Sequence, residues 1–133
     1  LRYATMTGAV LKSAQLDTAD FSFAALYQSD LTLATLLEAK FRNTILTGAN
    51  LTSTHIQGTL IAHSNLRGAN LTKAYITRAK LQEPDLDSAI VSDKWFDELK
   101  DNLNEGSSEI IKRYRIVRDT SSFRDSTVHR LVR

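Results

Sequence analysis

A chain of 133 residues can enclose one substantial core, and its net charge of +2 sets up no field strong enough to imply a nucleic-acid partner. It holds no cysteine, which excludes disulfide staples and thiolate metal sites, and no apolar run of about eighteen residues, which excludes a membrane-spanning helix. One proline and five glycines are too few for the turns of an ordinary β-sandwich, so the chain must turn by another device.

From Leu1 to Val91 every fifth residue is large and apolar: Leu1, Met6, Leu11, Leu16, Phe21 and so on through Leu81, Leu86 and Val91. The residue two places before each, from Ala4 to Ala89, is Ala, Ser or Thr, with Pro84 as the exception. A step of five turns an α-helix by about 500°, so these residues share no helical face. On a straight strand an odd step sends successive side chains to opposite sides. The small residue and the leucine of one unit, two apart, do face the same way. A corner after each short extended piece resets the parity and keeps every leucine inside. The chain must therefore coil around an axis.

The number of sides follows from a second period. TGANLTS at Thr47 to Ser53 recurs as RGANLTK at Arg67 to Lys73, twenty residues on, and as TGAVLKS at Thr7 to Ser13. EAKF at Glu38 to Phe41 matches RAKL at Arg78 to Leu81, forty apart, and Phe21 and Phe41 are twenty apart. Four units of five return the chain to the same wall, and each coil lies on the last at the inter-strand spacing of about 4.8 Å. The pattern predicts Phe21 over Phe41, and Leu31, Leu51 and Leu71 in one column.

With Ala19-Asp20-Phe21, Ser29-Asp30-Leu31, Ala49-Asn50-Leu51, Ser64-Asn65-Leu66, Ala69-Asn70-Leu71 and Pro84-Asp85-Leu86, residues 1–91 resemble the pentapeptide repeat family, whose consensus is A(D/N)LxX. The resemblance implies an all-β solenoid, a right-handed quadrilateral β-helix, which at twenty residues per coil makes about 4.5 coils. Its hand comes from the family and not from the spacing. Val10, Gln15, Thr35, Ile45, His55, Leu60 and Tyr75 depart from Asp or Asn in a place that points out of the core.

After Val91 the period fades. Ser92 is a good N-cap, and Trp95, Phe96, Leu99 and Leu103 follow at helical spacing, which predicts an amphipathic helix over Asp93 to Leu103. A stacked coil leaves an open edge and an apolar floor, so these four side chains are read as its C-terminal cap. A second helix is expected over Glu109 to Arg118 behind Ser107 and Ser108, with strand alternation across IIKRYRIV as the competing reading. Residues 92–118 then form a helical cap, and residues 119–133 a tail or the start of a following domain. No cap is visible before Leu1, and the chain reads as a fragment of a larger bacterial protein. A cytoplasmic setting is the default, or a host cell if the parent is a secreted effector.

Candidate chemistry is sparse. His55 and His63 face outward on different walls, and neither they nor His129 belong to a metal-binding motif. Glu83, Asp85 and Asp87 alternate, but a solid coil offers no cleft to raise a carboxyl pKa. Asn50 and Asn70 begin glycosylation triplets that the repeat itself generates. Lys40, Arg42, Arg78 and Lys80 fall short of a basic stripe with aromatics, so nucleic acid is not an expected partner. No catalytic residue, metal or cofactor is expected. The informative outward residues are apolar: Tyr3 and Phe23, twenty apart and therefore stacked, with Tyr27, Leu33 and Leu37 in the second coil.

The expected function is a non-catalytic structural or protein-interaction module with a protein partner. One alternative is the substrate-binding β-helix of a secreted bacterial effector such as a HECT-like ubiquitin ligase. Another is a gyrase-binding DNA mimic, a role known in the family, but residues 1–91 carry eight Lys and Arg against seven Asp and Glu, a balance of +1 where mimicry needs strong negative charge. A homodimer through a coil end is an expected assembly, with the N-terminal edge as the place to look.

Overall fold

The computed structural model describes residues 1–102, 104–118 and 128–133. Its strands and helices are β1 (Lys40–Arg42), β2 (His55–Gln57), β3 (Leu60–Ala62), β4 (Tyr75–Thr77), β5 (Lys80–Gln82), β6 (Ile90–Val91), α1 (Trp95–Asp101), α2 (Ser107–Arg113), β7 (Arg115–Arg118) and β8 (His129–Val132). Through the repeats the chain pairs with itself in parallel at a constant offset of twenty: Thr5 with Ala25, Val10 with Asp30, Gln15 with Thr35, Asp20 with Lys40. The strands keep that offset, Phe41 opposite Ile61 opposite Leu81, and Ile56 opposite Ile76.

These ladders define four walls. The first carries Phe21, Phe41, Ile61 and Leu81 inward, the second Leu26, Leu46, Leu66 and Leu86, the third Leu31, Leu51, Leu71 and Val91, the fourth Leu36, Ile56 and Ile76, all buried. The Phe21 and Phe41 rings stack at 4.9 Å with planes 6° apart, the spacing of the strands themselves. The small residues line the same interior. Where they are Ser or Thr, the buried hydroxyl donates to a backbone carbonyl, as Thr44 does to Phe21 (2.9 Å) and Ser64 to Phe41 (2.8 Å).

The corner is a backbone conformation. Every fifth residue from Tyr3 to Ser88 has a φ between +45° and +68°, and most of these residues are not glycine. In most units the small residue's N–H closes a β-turn onto the preceding leucine carbonyl, as Ala24 does onto Phe21 (2.9 Å), with positive φ at the turn's third residue. An L-residue held there costs on the order of 1 kcal/mol or more. The inter-coil ladder overrides that cost: Phe23 N–H is also held by Arg42 O at 2.8 Å.

The Asp or Asn of the repeat has a task at the same corner. The side chain of Asp30 accepts the backbone N–H of Thr32 (2.9 Å), that of Asn50 the N–H of Thr52 (3.1 Å), and that of Asn70 the N–H of Thr72 (3.0 Å). The hydroxyl and N–H of Thr32, with Lys12 nearby, hold the Asp30 carboxyl below its ordinary value against a smaller opposing effect of burial. A carboxyl lowered on folding stabilises the protein above its unfolded pKa of about 3.9, and that contribution is lost as pH falls through the folded value. Asp30→Asn, which keeps the turn as Asn50 and Asn70 do, is expected to melt like the parent at pH 7 and to lose less melting temperature on acidification to pH 3. Equal losses in both chains would remove Asp30 from the acid response.

At the C-terminal end the helices are shorter than the sequence reading. α1 begins at Trp95, not Asp93, and its N-cap is Lys94; the Ser92 hydroxyl donates to the Glu98 carboxylate (3.2 Å) instead of capping the backbone. Trp95 and Leu99 are buried and Phe96 is half-buried. Trp95 closes the coil floor over Leu66, Leu71 and Ile76, leaving a void of about 10 Å³. Leu103 lies outside the described residues.

The chain then returns to the first wall for one more rung. Glu105 pairs with Lys80, accepting from Leu81 N–H and donating to Ala79 O, both at 2.9 Å. Gly106 turns it away at φ +88°, where a Cβ would sit 2.0 Å from Leu81 O.

The second predicted helix, Glu109 to Arg118, is corrected: α2 stops at Arg113 and residues 115–118 are a strand. Tyr114 breaks the helix in an extended conformation, its ring buried and its hydroxyl accepting Leu86 N–H at 3.1 Å. Beyond it Ile116 turns inward between exposed Arg115 and Val117, the strand alternation of the competing reading. β8, from the expected tail, lies antiparallel between β6 and β7, and its neighbour Arg133 reaches Asp85 at 2.6 Å. The coil end is thus covered by helix and sheet together.

Candidate protein-interaction surface

Each unit sends two side chains inward and three outward, so a site within the repeats lies on the outer walls. The structure divides the five predicted surface residues between opposite walls. Tyr3 and Phe23 stand at the corner that opens the second wall, stacked at 5.1 Å with planes 10° apart, and Tyr27 stands at its far corner. Leu33 and Leu37 bracket Thr35 on the fourth wall. All five are exposed.

Two residues join the second-wall group that the sequence reading did not place there. Ala25 lies between Phe23 and Tyr27, and exposed Ile45 pairs beneath it. Ile45 occupies the Asp/Asn place, so a large apolar departure there was the available signal. The result is an uncharged patch of Tyr3, Phe23, Ala25, Tyr27 and Ile45 across the upper coils. Beside it Arg2 lies over the Tyr3 ring at 5.4 Å and 3.7 Å from Asp20. Further down, the same wall turns polar: Arg67 contacts Asp85 (3.6 Å) and Asp87 (3.1 Å), and His63 lies 3.5 Å from Glu83.

The other candidates stand apart. Asp85 is buried enough to push its carboxyl up, but the Asp87 N–H, Arg133 and Arg67 outweigh burial and hold it below its ordinary value, the opposite of a proton donor at neutral pH. His55 packs against Tyr75, rings 6.3 Å apart. Lys40 and Lys80 share the first wall with Leu60 between them, and Lys80 sits 3.8 Å from Glu105. Among the described residues no group of three His, Cys, Asp or Glu is placed to hold a metal ion, and no helix is long and apolar enough to cross a membrane.

The sequence profile of pentapeptide repeats matches residues 1–32, 34–60 and 54–93, in eight copies. A solved pentapeptide repeat protein from the Arabidopsis thaliana thylakoid lumen is similar at 29% identity and a TM-score of 0.55, over 56% of this chain and 52% of that one. This chain therefore spans about half the length of that relative. A pentapeptide repeat protein of Nostoc is 25% identical over 76% of this chain and 83% of its own, with a TM-score of 0.32. HetL, a Nostoc pentapeptide repeat protein involved in heterocyst differentiation regulation, is 28% identical over 67% of this chain and 49% of its own, with a TM-score of 0.23. No curated protein matches the chain. Eight profile copies, together with a ladder that advances by twenty residues on all four walls, make the chain a member of the pentapeptide repeat family.

Proposed function

We propose that the chain is a non-catalytic protein-binding solenoid, a right-handed four-sided β-helix of about 4.5 coils closed by helix and sheet at its C-terminal end. Its partner contacts the second wall through Tyr3, Phe23, Tyr27 and Ile45. The observation that carries this reading is the concentration of exposed aromatic and aliphatic side chains, free of charge, on the upper half of one wall. Rigid aromatic anchors on a flat, preorganised surface are the usual energetic centre of a protein interface. The near-zero balance of the coil speaks against DNA mimicry.

The test is a titration of a partner captured by the parent chain against two double variants. Phe23→Ser/Tyr27→Ser is expected to weaken binding at least tenfold while the circular dichroism spectrum is unchanged. Leu33→Ser/Leu37→Ser, on the opposite wall, should bind within about twofold of the parent. Equal binding by both variants would refute the assignment to the second wall.

A further inference from the structure

The basic residues in and beside the sequence motifs EAKF and RAKL come together on the first wall. Its three strands lie in the order β1, β3, β5, each about 4.8 Å from the next. Lys40 and Arg42 stand outward on β1, Lys80 on β5, and Arg78 at the corner before it, all exposed. Between them β3 presents only Leu60 and Ala62. Leu60 pairs with Lys40 on one side and Lys80 on the other, and Ala62 with Arg42 and Gln82. Leu60 is half-buried, and Ala62 is buried although it occupies an outward place. Long side chains on the flanking strands therefore rise beside a low central one and make a shallow furrow along β3. Its floor is apolar, widened by the hydrocarbon stems of lysine and arginine, and its two rims carry the charged heads.

The charges on this wall and its corners do not cancel. Arg2 pairs with Asp20 (3.7 Å), Lys80 with Glu105 (3.8 Å) and His63 with Glu83 (3.5 Å). Lys40, Arg42 and Arg78 make no ion pair among the described residues. Against these three stands the carboxylate of Glu38, whose side chain passes over Gly58 at the corner. Three cations against one carboxylate leave an excess of two positive charges around the furrow.

We propose that this furrow is a second docking surface, for an extended acidic segment of a partner protein. Charge complementarity selects the occupant: carboxylates on the segment relieve the crowding of like charge along the rims. The spacing fits as well. Alternate side chains of an extended chain point to opposite sides, and those on one side are about 6.6 Å apart. Lys40 and Arg42 are two apart on one strand and receive the carboxylates of one side. Arg78 and Lys80, also two apart, receive those of the other, while the main chain of the segment lies over Leu60 and Ala62. The two guanidinium groups add bidentate geometry to the charge. A nucleic-acid strand is the poorer fit, because the furrow residues include no Tyr, Phe or Trp on which a base could stack. This surface goes beyond the second-wall reading and does not depend on it.

The experiment is a fluorescence-anisotropy titration of a fluorescein-labelled hexaglutamate peptide with the 133-residue chain. Binding is expected to weaken at least tenfold between about 50 and about 500 mM sodium chloride, because salt screens exposed charges. A hexaglutamine peptide should not bind. Lys40→Gln/Arg42→Gln should weaken hexaglutamate binding at least tenfold, and Arg78→Gln/Lys80→Gln, on the other rim, by a similar factor. Lys12→Gln/Lys73→Gln removes two charges from the third wall instead and should bind within about twofold of the parent, which separates the furrow from net charge. All these side chains are exposed, so the circular dichroism spectra should be unchanged. Phe23→Ser/Tyr27→Ser should bind hexaglutamate as the parent does. No saturable binding of hexaglutamate at low salt, equal weakening by the first-wall and third-wall pairs, or tighter binding of an oligothymidylate of equal charge would each overturn the proposal.

Discussion

Replacing Phe41 by alanine is expected to cost about 3–5 kcal/mol, the loss typical of a large ring removed from a packed core. Phe41 is 2% exposed and stacks on Phe21 above, with Ile61 paired below. The interior has no slack with which to fill the gap, because the walls are fixed at the ladder spacing and cannot close inward. The cost therefore includes the cavity as well as the lost burial. Phe41→Leu should cost much less, about 1–2 kcal/mol, since Leu81 and Ile61 already occupy the same place in the column and only the ring pair and some fit are lost. Urea unfolding followed by far-ultraviolet circular dichroism measures both. Losses below about 1 kcal/mol for Phe41→Ala would mean that the column is not packed as described.

Asn104→Leu is expected to destabilise by about 3–6 kcal/mol although it adds apolar surface. Asn104 stands in the small-residue place of the last rung, 7% exposed. Its side-chain carbonyl accepts Ala79 N–H at 2.9 Å, while its amide donates to Ile76 O at 2.9 Å and Leu99 O at 3.1 Å. One side chain thus joins the fourth wall, the first wall and the end of α1. A leucine of similar size excludes water and leaves three backbone groups unpaired, each costing about 1–3 kcal/mol. Because α1 is docked through that amide, the loss should appear first as exposure of the α1 floor. Trp95 fluorescence, red-shifting before the β-signal is lost, reads it directly. A single coincident transition at the parent's midpoint would contradict this role.

The four walls were legible because burial imposes a strict demand. A leucine out of phase would face water, so the period of five and the period of twenty are both written in side chains. The corner was legible only as a necessity. Its device, a left-handed residue in every unit, leaves little trace because the ladder overrides the strain of Thr18, Phe23 and Leu33 there and does not require a glycine such as Gly48. The role of Asp and Asn was missed for a related reason. An outward side chain reads as solvated, while its bond is to a backbone N–H two residues on. After Val91 periodicity no longer decides. IIKRYRIV satisfies helical and strand patterns together, and the choice falls to the buried ring of Tyr114 and to the pairing with β8, which lies far along the chain. The surface residues were individually visible, but their grouping was not, since adjacency on the outside depends on which corner each one occupies. Tyr27 and Leu37 hold the same place in their units yet stand on opposite walls.

The division of each five-residue unit into two inward and three outward side chains separates two kinds of inheritance. Mutation at the outward places other than the corner Asp or Asn rewrites what the molecule recognises at little expense in folding, while mutation at the inward places is purged by stability alone. Specificity in such a scaffold can drift quickly over an unchanging frame. Two chains with the same interior alphabet need then share no binding behaviour at all.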